Sequence, residues 1–314
     1  MTSTAPRVDV IALGEAMVEF NQTRAADPHT WVQGFGGDTS NMAIAAARLG
    51  ARAGYVTRVG NDAFGRLLID LWQRERVGTE GVAIDDDAPT GVYFVSHGAS
   101  GHEFSYLRAG SAASRMTGAA LRLDVLRDTR VLHLSAISQA ISASACDACF
   151  AAIDAARAAG ARIAYDTNLR LKLWPLPRAR AIVFETMRTV DWALPSFDDA
   201  RQLFDSEDPA HIVERCHTLG AAVVVLKLGG AGCIVSDGSR SERLQGERVD
   251  AIDATGAGDC FDGAFIARVV AGDDVFSAAR FANAAAALAT TGYGAVAPLP
   301  TREAVERLLG HPMT

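Results

Sequence analysis

The sequence lacks any run of the roughly 20 apolar residues that a membrane-spanning helix needs, and its first seven residues are polar. It also lacks an excess of basic residues. Its 30 lysines and arginines stand against 37 aspartates and glutamates, which gives a formal net charge of −7. Proteins that bind nucleic acid or anionic membranes normally present a basic face. We therefore expect a cytoplasmic protein that binds neither nucleic acid nor membrane.

Cysteine is scarce, with five residues in a chain of 314. An odd number gives no complete disulfide framework, and a chain of this length can bury a core without covalent crosslinks. Cys146 and Cys149 have the C-x-x-C spacing but lie in an alanine-rich helical stretch, without the second pair that a zinc site would require. We expect reduced thiols.

A dinucleotide-binding G-x-G-x-x-G is missing after the first apolar segment, where Gly14-Glu15-Ala16 stands instead. This disfavours an NAD(P)-dependent dehydrogenase, although β-branched runs do alternate with alanine-rich helical stretches. The alternation predicts one α/β domain over residues 1–314, with a mainly parallel sheet and helices on both faces. The predicted strands are Val8–Leu13, Val131–Leu134, Arg162–Asp166, Trp192–Leu194 and Val223–Leu226, and the predicted helices lie near 142–160, 178–190 and 198–220.

An inserted β lid is predicted around residues 89–110, where two strand-like segments are joined by a turn through 97–101. Because side chains alternate along a strand, Phe104, Tyr106 and Arg108 share one face. Packing on a core would explain Phe104 better than it explains Arg108. We expect Tyr93, Tyr106 and Arg108 to contact a ligand.

The most informative segment is Asp253-Ala254-Thr255-Gly256-Ala257-Gly258-Asp259. Its glycines let the backbone close around a charged group, and the first amides of the following helix have no intrahelical partners. The helix dipole adds partial positive charge at the same point. The segment predicts phosphoryl transfer, with Gly256, Ala257 and Gly258 as an anion hole and Asp259 as the base that deprotonates a hydroxyl. A glycine-rich turn capped by an acid would explain these residues if they stood alone.

A second motif, Gly36-Gly37-Asp38-Thr39-Ser40-Asn41, opens a helix of small residues that ends at Gly50. Together the two motifs resemble those of the PfkB, or ribokinase-like, carbohydrate kinases, and the resemblance spans residues 8 to about 300. In that family the first motif lies against the sugar. The resemblance therefore implies substrate contacts at Gly36, Gly37, Asp38 and Asn41, with ATP and Mg²⁺ as cofactors. It also implies a homo-oligomer formed through the lid.

The resemblance places the nucleotide beside the segment 227–232, which ends a predicted strand. Glycines at the carboxyl end of a strand let the backbone approach a nucleotide. Lys227 is implied near phosphate and Asn283 beside the adenine, although an Asn in an alanine-rich helix also simply caps or faces water. The remaining implied cofactor contacts are Asn168, Ser196, Gly229, Gly232, Thr255, Gly256 and Gly258.

Two acids are candidate metal ligands. Many relatives have Asn-x-x-Glu around Mg²⁺ and phosphate where this chain has Ser196-x-x-Asp199. Asp199 would then act through water, as hydrated Mg²⁺ commonly requires, while a favourable acid at a helix N-terminus explains it nearly as well. Some relatives use a monovalent cation such as K⁺ near the anion hole, and Asp253 is the candidate here.

Five short segments resemble the 2-keto-3-deoxygluconate kinases within this family. Arg108 on the lid and Arg170 after a strand could both meet a carboxylate, which a guanidinium matches in shape and charge. Glu19 also stands where fructokinases and ribokinases commonly keep a sugar-binding Asp. We expect an acid sugar phosphorylated on its terminal hydroxyl, with a fructokinase, another sugar kinase and a non-catalytic sugar sensor as alternatives. The segments are 36–39, 106–108, 166–170, 194–199 and 292–295.

Overall fold

The structure is a computed structural model that describes residues 8–23, 29–98 and 101–310. Over these residues the chain forms two sheets, one of nine strands and one of four. The strands are β1 (Val8–Leu13), β2 (Met17–Gln22), β3 (Trp31–Gly36), β4 (Ala53–Gly60), β5 (Gly78–Asp85), β6 (Val92–Gly98), β7 (Gly101–Leu107), β8 (Thr129–Ser135), β9 (Arg162–Asp166), β10 (Trp192–Ala193), β11 (Val223–Lys227), β12 (Cys233–Ser236) and β13 (Ser241–Leu244).

The nine-stranded sheet has the order β13-β12-β11-β10-β9-β8-β1-β4-β5. Its pairings are parallel from β5 through β11, and β12 and β13 continue antiparallel. The predicted fold class is therefore confirmed. The strands that follow β1 in this sheet, β4 and β5, lie on one side of it, and β8 and the later strands lie on the other. The direction in which strands are added therefore reverses at β1. Ligands of open α/β sheets bind at the carboxyl ends of strands near such a reversal.

Helices cover both faces of this sheet, and each face has its own apolar core. The helices on the first core are α1, α2, α9, α10 and α11, and α5 to α8 pack on the second. None of the helices in the described ranges is long and apolar enough to cross a membrane. Their bounds are α1 (Asp38–Arg48), α2 (Ala63–Arg74), α3 (Leu123–Arg127), α4 (Ala136–Ala140), α5 (Ala143–Ala158), α6 (Leu176–Met187), α7 (Phe197–Phe204), α8 (Pro209–Leu219), α9 (Ala257–Ala271), α10 (Val275–Ala289) and α11 (Arg302–Leu308).

The prediction of one helix over 198–220 is wrong, because two helices occupy this stretch. Asp205 ends α7 in the left-handed region, with a φ of 53°. Asp208 then caps α8 by accepting a hydrogen bond from the Ala210 amide, and Pro209 occupies the first helical position. Proline at that position starts a helix and cannot continue one.

The smaller sheet has the order β3-β2-β6-β7. The hairpin of β6 and β7 matches the predicted insertion, and residues 99 and 100 of its predicted turn lie outside the described residues. The prediction of a hairpin alone is incomplete, because β2 pairs in parallel with β6 and antiparallel with β3. β2 and β6 are far apart in the chain, so a local sequence pattern does not reveal their pairing. β2 and β3 are close in the chain, and neither was predicted as a strand. We call this four-stranded sheet the lid.

Close packing of α1 against α9 brings the two sequence motifs together. A Cβ at Gly263 of α9 would lie 2.5 Å from the carbonyl oxygen of Met42 in α1, so only glycine fits at this crossing. The N-terminal turn of α1, which carries the first motif, consequently lies beside the N-terminal turn of α9, which carries the second.

Candidate active site

The turn before α9 has the geometry that the second motif predicts. Gly256 caps the helix in the left-handed region, with a φ of 77° that favours glycine. Asp253 holds the turn by accepting hydrogen bonds from the amide and hydroxyl of Thr255, at 2.9 and 2.6 Å. The Ala257 amide donates to the Ala254 carbonyl at 3.2 Å. Because this hydrogen bond already uses the Ala257 amide, the Gly258 amide is better placed than the Ala257 amide to bind an anion.

Asp259 is enclosed in the first turn of α9, where Asn41 of α1 donates a hydrogen bond to its Oδ2 at 2.8 Å. Burial, together with the nearby Asp38 carboxylate, raises the pKa of the Asp259 carboxyl to about 7. A carboxyl with a pKa near the working pH is suited to general base catalysis. The Oδ1 of Asn41 is buried without a hydrogen-bond partner among the described residues, so it is available to a substrate hydroxyl.

This raised pKa predicts how activity depends on pH. Only ionised Asp259 can accept a proton, and its pKa is about 7. We therefore expect kcat/KM to rise about tenfold per pH unit below pH 7 and to level off above it. Kinetics between about pH 5 and 9 measure this, with Asp259→Asn as the control that loses the inflection. An inflection near pH 4 in the wild type would contradict the raised pKa.

The first motif lies directly on the end of β1. Gly37 has a φ of 116°, and a Cβ there would approach the Glu15 carbonyl oxygen to 2.5 Å. Gly36 is also constrained, because a Cβ added there would lie 2.4 Å from the hydroxyl of Tyr93. Tyr93 is buried and donates a hydrogen bond to Glu19 at 2.5 Å. The lid therefore contacts the first motif through Tyr93.

Asp38 and Asn168 join the first motif to the carboxyl end of β9. Asn168 donates from Nδ2 to Asp38 at 3.0 Å, and burial raises the pKa of Asp38. Asn168 thus contacts Asp38, a residue assigned to the sugar side of the site. Its predicted contact with the cofactor stays a prediction.

Lys227 forms a buried cluster that sequence reasoning missed. Its Nζ lies 3.1 Å from Asp166 and 2.9 Å from Asp262, and all three side chains are at most 9% exposed. A Cβ at Gly258 would lie 3.6 Å from this Nζ. The lysine therefore lies under the predicted anion hole. The available signal was the position of Asp262, three residues after Asp259 on α9.

His133 of β8 lies near the same cluster. Its Nδ1 is buried without a hydrogen-bond partner in the described residues. Burial lowers the pKa of His133 to about 3, so the ring is neutral at physiological pH.

The two predicted substrate arginines differ in environment. Arg108 follows β7, is 13% exposed, and forms an ion pair with the buried Glu15 at the end of β1. Its guanidinium lies 5.8 Å from the centre of the Tyr106 ring, and Tyr106 stacks on Tyr93 at 5.7 Å. Arg170 is exposed and donates to the Leu169 carbonyl.

Each arginine lies beside acidic side chains, Arg108 beside Glu15 and Arg170 near Asp38 and Asp199. Arg170 lies close enough to Asp38 and Asp199 to oppose the rise of their pKa values. Both arginines are placed around the carboxyl ends of the central strands. A joint contact with one substrate stays a prediction.

The loop on the predicted nucleotide side has an open surface at Gly229 and Gly230. A Cβ added at either glycine would have no other atom within 4 Å. Gly232 is enclosed, with a φ of 94° and the Leu244 carbonyl 2.0 Å from the position of a Cβ. Asn283 is buried, and its Nδ2 donates to Cys233 Sγ at 3.5 Å and to the Gln245 carbonyl at 3.4 Å. Its predicted place beside adenine stays a prediction.

A family model described as "pfkB family carbohydrate kinase" matches residues 8–302. The chain belongs to this family. It is therefore a carbohydrate kinase that binds ATP, and the dehydrogenase alternative is wrong. Membership does not choose among sugars, because the curated relatives include enzymes for different substrates.

Two curated relatives illustrate this range. The chain is 33% identical to "Fructokinase-2" of Zea mays over 315 residues, covering 96% of this chain and 93% of the relative. It is 32% identical to "2-dehydro-3-deoxygluconokinase" of Bacillus subtilis (strain 168) over 313 residues, covering 96% of each. The two levels of identity are too similar to decide the substrate.

Solved structures agree on the fold. A putative ribokinase II from E. coli in complex with ATP and Mg²⁺ has a TM-score of 0.89 and 25% identity, covering 96% of this chain and 99% of the neighbour. A fructokinase double mutant from Vibrio cholerae O395, bound to fructose, ADP and potassium, has a TM-score of 0.86 and 26% identity, covering 98% of this chain and all of the neighbour.

The acids around Ser196 suit a hydrated cation better than a fully protein-bound one. Ser196 caps α7 by accepting from the Asp199 amide at 3.2 Å. Burial, together with Asp166, raises the pKa of Asp199, so a cation beside it would relieve repulsion. In residues 8–23, 29–98 and 101–310 no group of three metal-ligating side chains is assembled. Mg²⁺ commonly keeps several waters and takes its other ligands from phosphates, which fits one or two carboxylates here.

Asp253 is less accessible to a cation than Asp199, because both of its carboxylate oxygens already accept hydrogen bonds. Its Oδ2 accepts from the Gly294 amide at 2.9 Å, while its Oδ1 is bonded to Thr255. The carboxylate therefore ties the turn before α9 to the segment that follows α10. Its role beside a monovalent cation stays a prediction.

Proposed function

We propose that this kinase transfers the γ-phosphoryl group of ATP to the terminal hydroxyl of 2-keto-3-deoxygluconate, giving 2-keto-3-deoxy-6-phosphogluconate. The observation that carries the proposal is the placement of Arg108, an almost enclosed guanidinium beneath the lid. A neutral sugar gives little reason for a second arginine, Arg170, in the segment that follows β9. The similarity to the Bacillus subtilis enzyme supports this substrate class.

In this mechanism Asp259 accepts the proton of the terminal hydroxyl as its oxygen attacks the γ-phosphorus. Asn41 holds the accepting carboxylate through its hydrogen bond of 2.8 Å. The amides of Gly256 and Gly258, with the dipole of α9, stabilise the charge that develops on the transferred group. Lys227 adds a positive charge below them, although its carboxylate partners offset much of it.

The nucleotide would lie across the open loop at Gly229 and the turn at 255–258, with Ser196 and Asn168 at its phosphate end. Mg²⁺, held by Asp199 through water, would neutralise phosphate charge. The lid would exclude water and so limit the hydrolysis of ATP. Each of these contacts is part of the proposal.

We further propose that the lid forms the interface of a homo-oligomer. The register of the lid sheet places Val32, Phe104 and Tyr106 on the same face as Tyr93. Val32 is 58% exposed and Tyr106 is 42% exposed. A partially exposed apolar face of this kind is typical of a protein interface.

Replacing Arg108 by alanine tests the substrate class. We expect KM for 2-keto-3-deoxygluconate to rise about 30-fold while KM for ATP stays unchanged, because a charge-assisted contact to the sugar carboxylate is lost. Steady-state kinetics measure both constants. Arg58→Ala is the matched control, since Arg58 likewise pairs with a buried carboxylate, Asp85, at 2.7 Å. An unchanged KM for the acid sugar in Arg108→Ala would remove Arg108 from the substrate site.

Fructose phosphorylation is the second candidate, favoured by the similarity to the Zea mays enzyme. In that case Arg108 would serve only as the partner of Glu15. A non-catalytic sugar sensor does not fit membership of a carbohydrate kinase family, and measurable turnover with ATP is the direct check. The position of the phosphate, read by ³¹P NMR of the product, distinguishes transfer to a terminal hydroxyl from transfer elsewhere.

A further inference from the structure

Glu15 is a buried carboxylate that connects three parts of the candidate site. It follows β1 and is 2% exposed. Its backbone carbonyl supports Gly37 of the first motif, where it lies 2.5 Å from the position of a Cβ. Its side chain reaches in the other direction and forms the ion pair with Arg108. The end of the first strand, the first motif and the end of the lid therefore meet at one residue.

One oxygen of the Glu15 carboxylate is held by a hydrogen bond, and the other forms the ion pair with Arg108. Its Oε1 accepts a hydrogen bond from the Ser111 hydroxyl at 2.5 Å. The same oxygen lies 3.0 Å from the position of a Cβ at Gly91, so the carboxylate packs against the start of the lid. A charge fixed in this way can fix its partner. Arg108 is held on one side by Glu15 and flanked on another by the Tyr106 ring.

The paired guanidinium still has unused donors. The Nε of Arg108 is buried and makes no hydrogen bond to any residue that the structure describes. A guanidinium carries five N–H donors, and one carboxylate cannot use them all. A buried donor without a partner is costly, so such a group is expected to find one in the working enzyme.

We infer that Glu15 is a positioning residue that orients Arg108 toward the carboxylate of an acid sugar and thereby sets the preference for acids. The inference rests on the proposed function. A free arginine side chain loses rotamer freedom when it binds, whereas one already held by Glu15 has lost it beforehand. Glu15 also repels the substrate carboxylate. The Glu15 carboxylate lies on the far side of the guanidinium, at about twice the distance that separates Arg108 from the substrate carboxylate. The attraction of Arg108 for the substrate therefore exceeds the repulsion by Glu15.

The test is Glu15→Gln, which keeps the size of the side chain and a hydrogen-bonding oxygen for Ser111 but removes the charge. We expect KM for 2-keto-3-deoxygluconate to rise about tenfold. We also expect kcat to change less than about threefold, and KM for ATP and for fructose to stay unchanged. Asp85→Asn removes a similarly buried partner of an arginine outside the predicted site, and it should leave the ratio of acid to neutral kcat/KM unaltered.

A double-mutant cycle with Arg108→Ala separates positioning from general support of the fold. If Glu15 acts through Arg108, Glu15→Gln adds nothing to the acid-sugar KM once Arg108 is alanine. An equal loss for acid and neutral sugars, an additive effect in the double variant, or a lower KM for the acid would each overturn the inference. Should Glu15→Gln fail to fold, Ser111→Ala keeps both charges and should raise the acid-sugar KM two- to threefold, and an unchanged KM would again overturn it.

The wild-type enzyme distinguishes this failure from failure of the proposed function. A wild type that prefers fructose overturns the proposed substrate, and the inference with it. A wild type that prefers the acid sugar, together with an unchanged preference in Glu15→Gln, overturns only the role of Glu15.

Discussion

Asp259→Asn lowers kcat by about 100-fold or more, because the variant has no carboxylate to accept the proton of the attacking hydroxyl. Binding should survive the change. Asn41 donates to a side-chain oxygen at this position, and the asparagine amide offers such an oxygen. We expect the affinity for ATP, measured by calorimetry, to stay within about twofold of the wild type.

Stability provides an internal control for this variant. Burial raises the pKa of Asp259 to about 7, so the ionised form disfavours the folded state at and above that pH. The neutral asparagine should therefore leave the melting temperature at pH 8 unchanged or raise it. Loss of activity together with loss of the fold would indicate a structural role instead. Near-normal turnover in a folded variant would remove Asp259 as the base.

Lys227→Met destabilises the protein by about 3–5 kcal/mol, because it leaves the carboxylates of Asp166 and Asp262 buried without their cation. The ion pairs measure 3.1 and 2.9 Å. Burial lowers the pKa of Lys227, but the Asp166 and Asp262 carboxylates together raise it by more, which keeps the lysine charged. Urea unfolding followed by circular dichroism measures the free-energy change.

The chain offers a matched control, because its one other lysine is the exposed Lys172. Lys172→Met should change stability by less than about 0.5 kcal/mol. Adding Asp262→Asn to Lys227→Met should recover part of the loss by removing one uncompensated charge. A Lys227→Met variant as stable as the Lys172 control would show that the cluster contributes nothing to the fold.

Local sequence patterns predicted β1, β8, β9, β10 and β11 of the parallel part of the sheet, together with the two motifs, but not the parallel strands β4 and β5. Runs such as Val223–Leu226 have the β-branched composition of buried strands, and β11 begins at the same residue. The glycines at 37 and 256 were informative because their backbone conformations exclude most other residues. Such signals are local, so they can be read without the tertiary structure.

Contacts between distant segments could not be read in this way. Nothing near Asn41 indicates that it would meet Asp259, which lies 218 positions away. That contact depends on the crossing of α1 and α9. The ion pair of Glu15 with Arg108 likewise depends on how the lid packs on the end of β1. The pairing of β2 with β6 also joins segments that are remote in the chain.

Arg108 shows how the structure changes the interpretation of a predicted residue. From its position in the sequence it is a free guanidinium on the face of a lid, whereas in the structure it is already paired. The sequence suggested a contact between Lys227 and phosphate alone. The structure adds two carboxylates that neutralise the lysine and hold it under the turn before α9.

Comparison of kcat/KM for four sugars, with ATP and Mg²⁺, decides whether the enzyme prefers an acid sugar. The sugars are 2-keto-3-deoxygluconate, its galactose-derived epimer, fructose and ribose. The proposed contacts of Arg108 and Arg170 with a carboxylate predict that the two keto-deoxy acids are preferred over the neutral sugars by about 100-fold or more. Preference for fructose or ribose would leave the kinase fold and the role of Asp259 intact but contradict the acid-sugar assignment.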